Sequence, residues 1–222
     1  MKANSSLIIL GIALGISGDY GDGTREFLLM PAGFAFAIWL LIYAGMLRLA
    51  LHYWRGESFS MGLWPGLAFF TSGLWSRVGL LGSTVLSLSV AFLTLILSIG
   101  LLKIWYRRSP SPAEKSIALR PLSLYAGWIS VANIVWGSAL MFEEGYQFFN
   151  SITGAVFFAT LALTLALLRP SLWSRAFSLA IGWGLFGIAV ECRELSFGFS
   201  VLCFVYTGLV IAAATLQKNQ VR

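Results

Sequence analysis

Three aromatic side chains, Phe36, Trp39 and Tyr43, follow one another at intervals of three and four residues behind Pro31-Ala32-Gly33. On an α-helix that spacing sets the rings along one side. Flat faces so arranged can stack on a planar apolar molecule or pack against a neighbouring helix. A second set, Tyr125, Trp128 and Trp136, lies in another apolar stretch that follows Arg120-Pro121. Trp128 and Trp136, eight residues apart, share a face, and Asn133 falls on a different flank. An amide in lipid needs a partner, so Asn133 is expected to bond across a helix contact or to a ligand. The chemistry these residues predict is stacking and hydrogen bonding, with ordinary aromatic packing as the competing explanation.

Acid–base and nucleophilic chemistry lack their reagents. No Asp or Glu lies near the centre of an apolar stretch, and the single histidine, His52, sits at the end of one beside Tyr53, Trp54 and Arg55. That setting favours an interfacial aromatic belt over an axial ligand to haem or chlorophyll. Asp19-x-x-Asp22-Gly23 lacks the remaining oxygen ligands of a calcium loop. Cys192 and Cys203, eleven apart, do not have the paired spacing of a metal or redox motif and read as small apolar residues. An enzyme is therefore not expected.

The elements that must position these side chains are membrane helices. The chain has 222 residues, 58% hydrophobic and only 11% charged, with a mean hydropathy of +0.82, against roughly 25% charged residues in soluble domains. Eight apolar stretches, 3–19, 31–54, 59–76, 79–105, 119–142, 147–168, 172–190 and 195–216, predict an all-α integral membrane protein with about eight spans. The first is the weakest, its fully apolar stretch covering only Leu7 to Ile16, and with Lys2 ahead of it also fits a cleaved signal peptide. Eight crossings put Lys2, Arg48, Arg55, Lys103, Arg107, Arg108, Lys115, Arg120, Arg169, Arg175, Lys218 and Arg222 on one side, 12 of the 15 basic residues. The positive-inside rule makes that side, with both termini, cytoplasmic. The net charge of +6 is thus topological, and nucleic acid is excluded as a partner because so little polar surface exists to bind it. The loop from Gly18 to Met30, with Asp19, Asp22, Arg25 and Glu26, is expected to act as a lid beside Pro31.

The stretch Pro31-Ala-Gly33-Phe-Ala-Phe36-Ala-Ile-Trp39-Leu-Leu-Ile-Tyr43 resembles the second-helix signature of the tryptophan-rich sensory, or translocator protein (TspO/MBR), family. Arg120-Pro-Leu-Ser-Leu-Tyr125-Ala-Gly-Trp128-Ile-Ser-Val-Ala132 is similar to that family's fifth-helix pattern, and Ser72-Gly-Leu-Trp75-Ser is a weaker third match. The likeness is greatest to the longer bacterial branch. It implies a five-helix core over residues 1–142 and three further transmembrane helices over 143–222 packed on the same domain. It also implies a pocket among the five helices that takes porphyrins and other hydrophobic ligands, which adds Trp39, Tyr43, Trp75, Tyr125, Trp128 and Ala132 to Asn133 as candidate site residues. The chain departs from the family at Trp136, where an asparagine is usual, and Tyr146-Gln lacks the base of the sterol pattern.

The leading expectation is therefore a ligand-binding or sensory membrane protein holding a tetrapyrrole (porphyrin, haem or chlorophyll), a carotenoid or a similar flat molecule between spans two and five. The alternative is a non-catalytic accessory subunit of a larger, pigment-bearing membrane complex. Expected partners are the lipid bilayer, a hydrophobic small molecule, and either a second copy or a larger assembly. The expected location is the bacterial cytoplasmic (inner) or a photosynthetic membrane.

Overall fold

A computed structural model describes residues 2–16, 27–56, 63–78, 84–107, 115–167 and 175–216. Of the expected lid, Gly18 to Met30, residues 18–26 lie outside them. Among the described residues there are eight α-helices: α1 (Lys2–Ile16), α2 (Ile38–Trp54), α3 (Trp64–Val78), α4 (Thr84–Arg107), α5 (Arg120–Glu143), α6 (Ile152–Leu167), α7 (Arg175–Glu191) and α8 (Phe197–Leu216). Short 3-10 turns, Gly33–Ala37 and Gln147–Asn150, precede α2 and α6. Each expected span overlaps one helix. Three helical segments, Gly33–Trp54, Ile117–Glu143 and Phe197–Leu216, are long and apolar enough to cross a bilayer by themselves. The 15 residues of α1 and 16 of α6 reach only about 22–24 Å at 1.5 Å per residue, short of the roughly 30 Å hydrocarbon core.

One expectation needs correction. The aromatic helix was predicted to begin at Pro31, but the chain first makes the 3-10 turn Gly33–Ala37 and enters α-helix at Ile38. Proline has no N–H to donate, and two backbone groups here, the Ala32 N–H and the Ala35 carbonyl, also bond to α7, as described below.

Helices α1 to α5 close into a ring in the spatial order α1, α2, α5, α4, α3. The closest seam is α1 against α3, which run parallel: Asn4 Oδ1 accepts from the Gly66 N–H at 2.6 Å, and farther along, Gly11 faces Phe69 and Gly73. A Cβ on Gly11 would stand 2.5 Å from the Phe69 carbonyl oxygen, and one on Gly73 would stand 2.5 Å from that of Gly11. Only glycine permits this approach. The sequence patterns Gly11-x-x-x-Gly15 and Gly62-x-x-x-Gly66 allow such an approach, and the glycines at the seam are Gly11 on α1 with Gly66 and Gly73 on α3.

Helix α5 runs antiparallel to α2, with Gly45 over Pro121 and Phe36 against Trp128. It runs parallel to α3, with Tyr125 beside Phe69 and Trp75 beside Trp136. The remaining three helices pack on one another and dock through α7 onto the outside of α5, where Gly127 lies under the Phe177 carbonyl and the Ala180 methyl. Small hydroxyls join them: Ser178 donates to the Ala166 carbonyl at 2.8 Å and Ser200 to that of Ala189 at 2.6 Å. In lipid, such small and hydroxylated residues carry helix association. Odd-numbered helices in contact run parallel to one another, and even-numbered ones oppose them, as in an up-and-down bundle.

Replacing Gly73 by leucine should lower the thermal midpoint in detergent, since overpacking costs roughly 1–3 kcal/mol, while Gly100→Leu, at a position with nothing within 4 Å, should leave it nearly unchanged. Burial pushes the thiol of Cys192, in the turn after α7, up to about 11. The reactive thiolate is therefore scarce at neutral pH. Maleimide labelling at Cys192 should be very slow at pH 7 and rise about tenfold per pH unit towards that value, as mass spectrometry of the alkylated peptide would show.

Candidate functional site

Inside the ring, where α1 and α3 end and α2 begins, lies a cavity of ≈ 120 Å³. Its wall is built from four helices and the segment leading into α2. Gly11 and Gly15 come from α1, Phe69, Ser72, Gly73 and Trp75 from α3, and Trp39 and Tyr43 from α2. Trp128, Val131, Ala132, Val135 and Trp136 come from α5, and Met30, Pro31 and Phe36 complete the wall. The i, i+3, i+4 and i+8 spacings of these α5 residues are those of one helix face.

The rings hold one another in place. Trp39 stacks on Tyr43 with centroids 5.2 Å apart, and Tyr43 meets the edge of Phe69 at 6.2 Å. Phe36 stands edge-on to Trp128 at 5.8 Å, and Trp75 edge-on to Trp136 at 5.3 Å. These offset and edge-to-face geometries are the preferred ones for aromatic quadrupoles, so the wall is stiff before anything binds. The indole N–H of Trp128, a residue only 2% exposed, has no acceptor among the described residues. A buried donor left unpaired costs about 1–3 kcal/mol.

Of the expected site residues, Trp39, Tyr43, Trp75, Trp128 and Ala132 lie together on this wall. Tyr125 does not. It is fully buried beneath the cavity, tilted against Phe69 at 4.9 Å, and its hydroxyl donates to the Ala68 carbonyl at 2.8 Å with the Ser72 and Ser98 hydroxyls beside it. Its role is to tie α5 to α3. Asn133 also lies elsewhere: its amide donates to the Ile129 carbonyl one turn earlier at 2.9 Å and borders a groove lined by α4, α5 and α6. The five-residue step from Trp128 turns it away from the cavity face.

Four wall residues outside the expected set carried a readable signal. Trp136 follows Trp128 by eight, and Phe36 precedes Trp39 by three. Ser72 lies three before Trp75, and Pro31 opens the signature stretch. Phe69 and Val135 carried none, because only the folded ring brings them to the cavity. His52 sits in the last turn of α2, at the far end of that helix from Trp39. Among the described residues no group of three or more His, Cys, Asp or Glu is arranged to hold a metal ion.

The described residues thus form an all-helical bundle with an aromatic cavity, and the apolar helices are those of a membrane protein. The sequence matches the family described as TSPO-like protein over residues 15–216, and the chain belongs to that family. No curated protein and no solved structure gave a match.

Tyr125→Phe removes the bond to Ala68 and leaves the ring in place. It should cost about 1 kcal/mol of stability, seen as a lower thermal midpoint, while binding at the cavity, which Tyr125 does not line, changes less than twofold.

Proposed function

We propose that the protein is a non-catalytic binding or sensory protein of the membrane. Its cavity would take a flat hydrophobic molecule with a hydrogen-bond acceptor at one edge, and a porphyrin-like tetrapyrrole is the leading candidate. The observation that carries this is the Trp128 indole N–H, buried and unpartnered in an otherwise aromatic wall. An acceptor on the ligand would reach that N–H once the surrounding rings part, and Trp39 and Tyr43 would supply stacking faces. Membership of the TSPO-like family supports a ligand-binding role in general terms.

The volume limits how such a ligand sits. A cavity of ≈ 120 Å³ compares with the roughly 150 Å³ that admits benzene and the 300 Å³ or more of pockets for larger ligands. One edge of a macrocycle fits. The remainder requires Met30 and Phe36, on the segment leading into α2, to move outward.

Titrating purified protein with protoporphyrin while following tryptophan emission should give saturable quenching. The Trp39→Ala, Trp128→Ala double variant should weaken the affinity at least about tenfold, given roughly 0.5–1.5 kcal/mol per aromatic contact plus the lost hydrogen bond. Unchanged affinity would reject the cavity as the site. Stoichiometric co-purification with other subunits in mild detergent, without porphyrin binding, would favour the accessory-subunit reading instead.

Eight crossings with cytoplasmic termini in a bacterial inner membrane complete the proposal, supported by the segregation of 12 of 15 basic residues. A C-terminal green fluorescent protein fusion should fluoresce, and a C-terminal alkaline phosphatase fusion should be inactive. The reverse pattern would overturn this orientation.

A further inference from the structure

The segment that carries Met30, Pro31 and Phe36 into the cavity wall is held from its other side by residues that all lie beyond the five-helix ring. Three hydrogen bonds reach it. The Leu28 N–H donates to Asn150 Oδ1 at 2.9 Å, the Ala32 N–H to the Gly187 carbonyl at 3.0 Å, and the Trp183 Nε1–H to the Ala35 carbonyl at 2.7 Å. Phe34 packs edge-on to Trp183 and Phe186, each at 5.7 Å. A Cβ on Gly187 would stand 2.6 Å from that of Ala35 and 3.1 Å from that of Pro31, so α7 approaches this backbone as closely as glycine allows. Irregular backbone at the edge of a bilayer must find its partners inside the protein, and here the C-terminal helices provide them.

Tethered positions 28, 32 and 35 are interspersed with wall positions 30, 31 and 36, of which Pro31 also meets Gly187. One face of the segment therefore bounds the cavity while the other is gripped by α7 and the turn before α6. We infer that α7 and the turn before α6 act as a clamp that sets the position of the cavity wall, with Trp183, Gly187 and Asn150 as positioning residues that never touch the cavity. The clamp is a property of the fold. Only its consequence for ligand entry rests on the binding reading given above.

The test uses the full chain in lipid nanodiscs, comparing wild type with Trp183→Phe, Asn150→Ala and their combination. Trp183→Phe keeps an aromatic ring beside Phe34 and removes only the donor, and Trp54→Phe, at an exposed indole on the far end of α2, serves as control. Hydrogen exchange followed by mass spectrometry should show amides in 28–37 exchanging on the order of fivefold to tenfold faster for each bond removed. Peptides from α3 and α5 should remain as in wild type. Protoporphyrin association and dissociation should both accelerate in the combined variant, with affinity changing less than either rate. Unaltered exchange in 28–37, or an equal acceleration throughout the bundle, would overturn the clamp. Local acceleration in a protein that binds no porphyrin even as wild type would uphold the clamp and remove the ligand reading alone.

Discussion

Helices in lipid gain little from burying apolar surface against one another, because the lipid tails are as apolar as the side chains. The fold therefore depends on how closely backbones can come. At the α1–α3 seam, glycine at 11, 66 and 73 lets two helices lie against each other with side-chain atoms of one touching main-chain atoms of the other. Once that seam is fixed, the ring has a narrow side and a wide side. The cavity lies between that seam, which supplies Gly11, Gly15 and Gly73, and the aromatic residues of α2 and α5 on the wide side. Small residues and large rings are thus two halves of a single arrangement.

Polar atoms follow the same logic. Asn4, Ser5 and Tyr125 each spend their side-chain bonding capacity on a main-chain group of another helix: Gly66, Ala50 and Ala68. None of these atoms is then available to a ligand. The Trp128 indole N–H contrasts with them, since it is as deeply buried yet unpartnered among the described residues. A tryptophan in a membrane core normally finds an acceptor.

Much of this could be read from the sequence because apolar runs and basic residues obey one-dimensional rules. The positions of the helices, the shared face of Trp128 and Trp136, and the prominence of Trp39 and Tyr43 followed from spacing alone. Tyr125 and Asn133 were harder, since a motif gives proximity along the chain without the rotation that decides between cavity and seam. Tyr125, three residues before Trp128, turns towards Ala68, and Asn133 turns back on its own helix. Nothing local to Pro31–Ala37 disclosed that it would start as a 3-10 turn, because its partners are Trp183 and Gly187. Long-range pairing of that kind leaves no periodic trace.

That pairing also has a consequence for biogenesis. The bond between Trp183 and Ala35 spans 148 residues, and that between Asn150 and Leu28 spans 122. With synthesis at about 5–20 residues per second, roughly 7–30 s pass after Ala35 is made before Trp183 exists to meet it. During that interval the signature segment must keep its carbonyl and amide groups in the wet headgroup region or pair them provisionally. The cavity wall is encoded early in the chain and becomes complete only near the end of translation.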